Sequence, residues 1–269
     1  MSVLCVVGLV VGVTQLHDVV FVVCYDSSTI LRFNATTHQR LTDIVINDLK
    51  RTRDIAACEQ TSLVYVADEW YCIWRVSADG ADIRHWLPKS PDDTIQPLKL
   101  SVTSTRLLVT PYQTATPSHR NKQLMQFDAD GNELRRVHLP DYMHPIHAVE
   151  SPTGTFIVGH YNTQLEQGQV SEVNTGGEVL RQFTGSRLSS LGSPTHVAVD
   201  SRGNIIFVAD YANRRIFLLD AHLTLRRVVI DEHQPNYKEP RRLCYREQSG
   251  QLLVAFSSES SVSVFDVVH

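Results

Sequence analysis

No stretch of the 269 residues reaches the run of about 20 apolar side chains that a membrane helix needs. Sustained helical periodicity is missing too, so the chain does not read as a string of α/β units. Cysteine is scarce and scattered: Cys5, Cys24, Cys58, Cys72 and Cys244 form neither a Cys-x-x-Cys pair nor a dense framework, and their number is odd. Reduced thiols in the core of a cytoplasmic protein are therefore expected. A strong charge of either sign is also lacking, since 25 Lys and Arg against 29 Asp and Glu leave a net −4. No global field draws the protein to nucleic acid or anionic lipid, and neither DNA nor a membrane is expected as a partner. The segment from Ser2 to Val13 is apolar but has no Lys or Arg before it and no clear small-residue cleavage site. It is read as a strand rather than a signal peptide.

What the chain does have is a repeat. A strand ending in an apolar residue followed by a small polar one occurs as Phe33-Asn34, Val76-Ser77, Phe127-Asp128, Val173-Asn174, Leu219-Asp220 and Phe265-Asp266. The apolar members are spaced by 43, 51, 46, 46 and 46 residues. That period, filled with short alternating or apolar runs and polar turns, suits the four-stranded blade of a β-propeller. Six beats use the whole chain, so residues 1–269 are expected to form one all-β domain, a six-bladed propeller.

The first five beats are each followed by a fourth strand: Arg40 to Ile46, Ile83 to Leu87, Glu133 to Leu139, Glu178 to Thr184 and Thr224 to Ile230. The sixth runs out at His269 without one, while Ser2 to Val7 is a β-branched run that precedes any complete repeat. The N-terminal strand is thus expected to complete blade six and close the ring, removing two exposed edges. The surplus length of blade three falls in Tyr112 to Asn121, a polar loop insertion.

The segment from Pro194 to Ile216 reads Pro-x-His-Val-Ala-Val-Asp-x-x-Gly-Asn-Ile-Ile-Phe-Val-Ala-Asp-x-x-Asn-Arg-Arg-Ile. It resembles an NHL repeat, as found in the propellers of tripartite-motif proteins. Blade two fits in part through Ile55-Ala56 and Tyr65-Val66-Ala67-Asp68, and the other blades keep the apolar skeleton. The resemblance implies a recognition module that binds a protein segment or single-stranded RNA. The rival implication, from propeller lyases and lactonases, is a metal-dependent hydrolase or lyase.

Aligned blades nominate two sets of binding residues. The openings of the inner strands place Asp54, Lys99, His147, His196 and Arg242 at one position, with Val10 in blade one and Arg53 and Arg241 one residue earlier. This mostly basic ring is expected to line the funnel mouth and to attract a phosphate or carboxylate. After the second strand, Tyr25, Tyr112, Tyr161 and Tyr211 share a slot that Glu69 and Ser257 fill in the remaining blades. Aromatic faces there suit stacking of bases or anchoring of a peptide. His147 and His196 invite zinc, but Lys99 and Arg242 at the matching positions oppose a cation, so no metal or other cofactor is expected. The propeller itself is expected to be monomeric.

Overall fold

The computed structural model describes residues 2–69, 72–87, 96–111, 122–186, 189–231, 238–257 and 259–267. Its backbone is a ring of six four-stranded antiparallel sheets. Blade one is Val10–Leu16, Val19–Cys24, Thr29–Asn34 and Ile44–Val45, and blade two is Thr52–Cys58, Leu63–Asp68, Cys72–Ser77 and Ile83–Leu87. Blade three is Pro97–Thr103, Arg106–Pro111, Gln123–Phe127 and Glu133–His138, and blade four is Met143–Glu150, Phe156–Asn162, Gln167–Val173 and Val179–Phe183. Blade five is Pro194–Val199, Ile205–Asp210, Arg215–Asp220 and Leu225–Ile230. Blade six takes Pro240–Arg246, Gln251–Phe256 and Ser261–Asp266, and Ser2–Cys5 pairs with the last of these as its outer strand. Inner strands touch their neighbours all the way round, including the first against the sixth. The outer strand of blade one is shorter than expected, Ile44–Val45, with an isolated Phe33–Arg40 bridge before it.

The repeating polar residue has a physical reason. Its side chain accepts backbone N–H groups of the hairpin that follows, a local turn that Asp, Asn and Ser form readily. Asn34 Oδ1 receives Thr36 N and Thr37 N, Asp128 Oδ1 receives Asp130 N and Asn132 N, and Asn174 Oδ1 receives Gly176 N and Glu178 N. Asp220 Oδ1 likewise receives His222 N and Thr224 N. The fourth turn residue is left-handed, which Gly131 and Gly177 adopt freely and which Leu223 adopts in blade five at φ 58°.

Burial falls off from the axis outwards. The second strands are covered on both faces by the adjacent blades, and Val20, Phe21, Val22 and Val23 are all fully buried. Between blades one and two, Phe21 and Val23 pack with Ile55, Val64 and Trp74. Each such side chain contributes about 1.5–3 kcal/mol by leaving water. Outer strands are largely exposed, and Arg84, Arg135, Arg136, Arg181, Arg226 and Arg227 lie on them. Charges on an edge discourage further strand pairing.

Candidate functional site

Each inner strand opens with the same irregularity. The ladder to the second strand skips one residue, so that Val10/Gly12, Thr52/Asp54, Pro97/Lys99, Pro145/His147, Pro194/His196 and Pro240/Arg242 flank a β-bulge. A bulge re-aims the side chain that follows it. Six bulges in register direct Gly12, Asp54, Lys99, His147, His196 and Arg242 to the axis. The blade-one member is therefore Gly12, which corrects the alignment on Val10. The pairing with the second strand sets this register, since Val10 stands opposite Cys24 as Thr52 stands opposite Asp68.

The axial ring is also deeper than its sequence suggested. Lys99, His147 and Arg242 are buried, as is Asp54, rather than lining an open mouth. Arg242 Nε lies 3.2 Å from Asp54 Oδ1, while its Nη1 and Nη2 donate to the carbonyls of Arg241 at 3.0 Å and Arg53 at 3.1 Å. Leu100 N donates to Asp54 Oδ2 at 3.0 Å. His147 Nδ1 accepts Val197 N at 3.2 Å, which leaves the ring proton on Nε2, facing Leu100 O at 3.4 Å. The rings of His147 and His196 stack with centroids 3.8 Å apart. These side chains bond mainly to the backbone or side chain of a different blade, and so they tie the ring together.

Charge follows from that depth. Burial pushes the His196 imidazole well below the usual histidine range, and neighbouring His147 adds to the effect. Burial lowers His147 as well, opposed by the Asp54 carboxylate. Asp54 is raised by burial against the pull of Arg242. Both histidines are thus neutral at neutral pH.

Neutral imidazoles beside a carboxylate raise the question of a metal, because donor atoms of Asp54, His147 and His196 all lie within 4.8 Å of one another. A ligating nitrogen must present a free lone pair, and the one on His147 Nδ1 already faces Val197 N–H. Both Asp54 oxygens are engaged, and the Arg242 guanidinium places positive charge where a cation would approach. The set suits a cross-blade clasp better than a divalent ion.

The tyrosine slot lies on the face where second strands end. Tyr161 and Tyr211, in adjacent blades, each keep 36% of their surface exposed. Tyr25 is half-buried, with the Arg53 guanidinium over its ring at 5.3 Å. Tyr112 falls outside the described residues. On the same face Arg53 pairs with Glu69 at 2.7 Å, and Arg51 reaches Glu69 at 3.7 Å and Asp26 at 3.8 Å. Arg214 pairs with Glu239 at 3.0 Å, and Lys238 with Glu259.

No protein-family model matches the sequence, and no curated protein does. Solved structures do resemble the fold. Hydrazine synthase of Kuenenia stuttgartiensis aligns over 96% of this chain and 84% of its own at 14% identity, with a TM-score of 0.68. The β-propeller domain of Myceliophteria thermophila Cps50 (Swd1) aligns over 97% and 98% at 12% identity, with a TM-score of 0.62. At these identities the likeness is one of fold, and the fold is a six-bladed β-propeller. Asp54 and Gly12 are the site residues that sequence comparison undervalued. The signal for the ring was a repeated Pro two residues before the axial side chain, at Pro97, Pro145, Pro194 and Pro240.

Proposed function

We propose that this chain is an NHL-type recognition propeller whose loop face takes a protein segment. Tyr161 and Tyr211 carry the reading: equivalent positions in adjacent blades put two aromatic side chains, each over a third exposed, on one face. Tyrosine gives large contact area at low entropic cost, and such rings are favoured anchors at interfaces. Tyr25 and Arg53 extend the same face towards blade one.

The charge pattern favours protein over single-stranded RNA. Backbone phosphates call for an uninterrupted cationic groove, whereas Arg51, Arg53, Arg214 and Lys238 each face a carboxylate. The buried thiols of Cys24, Cys58 and Cys72, none in a disulfide, suit a reducing compartment, which supports a cytoplasmic module.

The test is a pull-down followed by titration of the recovered partner against Tyr161→Ala with Tyr211→Ala. Binding should weaken by about 1–3 kcal/mol per ring, with the melting temperature nearly unchanged. Unaltered affinity, or loss of the partner on ribonuclease treatment, would overturn the reading.

A further inference from the structure

Two axial side chains follow one pattern, and Lys99 breaks it. In blade two Asp54 Oδ2 accepts the N–H of Leu100 from blade three at 3.0 Å, and in blade four His147 Nδ1 accepts that of Val197 from blade five at 3.2 Å. Each donor directly follows the axial residue of its own blade. Ala148 holds this place in blade four, since it stands opposite Val158 as Leu100 stands opposite Val109 and Val197 opposite Val208. Its carbonyl leaves the ladder towards blade three, accepting Ser101 Oγ at 2.8 Å. The N–H and C=O of a strand residue point to the same edge, so the Ala148 N–H leaves the ladder as well.

Lys99 is the side chain set to meet it. Alternation puts Lys99 on the face of its strand shared with Ser101, the face that reaches blade four, and it follows the bulge as Asp54 and His147 follow theirs. An ammonium has three donors and no acceptor. The Ala148 N–H therefore faces a second donor where Leu100 and Val197 meet an oxygen or a nitrogen lone pair. Only 8% of Lys99 is exposed, and among the described residues no carboxylate lies in ion-pair range of it. Asp54, the one carboxylate of the axial ring, is taken by Arg242. Two other buried carboxylates, Asp68 and Asp210, lie opposite Thr52 and Pro194 in other blades, where Asp68 accepts Lys50 N and Arg51 N and Asp210 accepts Asn213 and Arg215. A charge this deep without a partner is strongly unfavourable.

We propose that Lys99 and the Ala148 N–H bind one compact monovalent anion, with the charge and size of chloride, at the axis between blades three and four. The anion supplies the acceptor that Asp54 and His147 supply in their own blades. A single negative charge balances the ring, because the Arg242 charge is met by Asp54 and the imidazole of His147 accepts an N–H. Bound there, the ion joins blade three to blade four as Asp54 joins blade two to blade three.

Thermal melts at constant ionic strength, with sodium chloride exchanged for sodium gluconate, read this directly. The melting temperature of the parent protein should rise saturably with chloride and with bromide, as for any ligand that binds only the folded chain, and gluconate is too large to act in their place. Lys99→Met, similar in length and uncharged, should lose the response, and Lys99→Arg should keep part of it. Equal melting temperatures in chloride and gluconate, or an undiminished chloride response in Lys99→Met, overturns the site. Where Lys99→Met does not fold, crystals of the parent protein grown in bromide decide. Anomalous scattering must then place a bromide against Lys99 Nζ and Ala148 N, and no bromide at that place overturns the proposal.

Discussion

Arg242 and Asp54 are 188 residues apart in sequence and form an ion pair of 3.2 Å at the axis. The pair joins blade six to blade two across blade one, whose own axial position is Gly12. A Cβ on Gly12 would sit 2.8 Å from Ile55 N and from Val23 Cγ2. Glycine lets blades one and two approach, and the arginine bridges what the missing side chain leaves open.

The two members of this pair should be strongly coupled in stability. Arg242→Met leaves a buried carboxylate and two carbonyls without their donor, and should destabilise the protein by about 3–5 kcal/mol. Asp54→Asn combined with Arg242→Met should cost clearly less than the two single changes added together. Urea denaturation of the four proteins in the cycle measures this. An Arg242→Met cost within about 0.5 kcal/mol, as for an ordinary surface change, would mean the pair is effectively solvated.

Acidification should weaken the fold through its buried, neutral histidines. Burial pushes His160 down to about 4, with its Nε2 held by Ser171 Oγ at 2.8 Å, and lowers His147 and His196 in the same direction. The folded pKa lies below the unfolded value near 6.5, so between the two the unfolded chain binds more protons. Stability is then full above about pH 6.5 and falls as the pH drops towards 4. For His160 alone the loss between pH 7 and 5 is about 2 kcal/mol. Asp54 and Glu150, both raised by burial, act in the opposite sense, so the difference between the parent and His160→Gln is the readout rather than the parent's total slope. His160→Gln should flatten the dependence by roughly the amount just given; an unchanged slope would mean that this imidazole is protonated in the fold.

The blades were legible because each hairpin demands the same local chemistry: an Asn, Asp or Ser that accepts the turn's N–H groups. A residue-level requirement leaves a residue-level trace, and Asn174 and Asp220 show it plainly. Tyr161 and Tyr211 fall at equivalent places because the position after the second strand is counted from the strand itself. Depth was not legible. Lys99 and His147 look like surface residues in sequence, and only the bulge before each turns them inward. Pairings such as Arg242 with Asp54 come from ring closure over the whole chain, which no spacing encodes.

Ring closure also makes the N-terminal strand a test of the architecture. Ser2–Cys5 pairs with Ser261–Asp266 in the register Ser2 to Val264 and Leu4 to Val262. Alternation along it puts Leu4 and Val6 in the core with Val10, Leu253 and Val264, and leaves Val3 44% and Val7 87% exposed. Leu4→Ala opens a cavity at the seam and should cost about 2–5 kcal/mol. Val3→Ala, one residue away on the outer face, should stay within about 0.5 kcal/mol. Deleting residues 2–7 removes both buried side chains and exposes the edge of Ser261–Asp266, a template for pairing with another chain. Since a domain has only about 5–15 kcal/mol of stability, the shortened protein should aggregate or melt at a much lower temperature. Thermal melts and size-exclusion chromatography of the three variants decide it: a soluble deletion variant with the parent's melting temperature would show that the ring holds without its first strand.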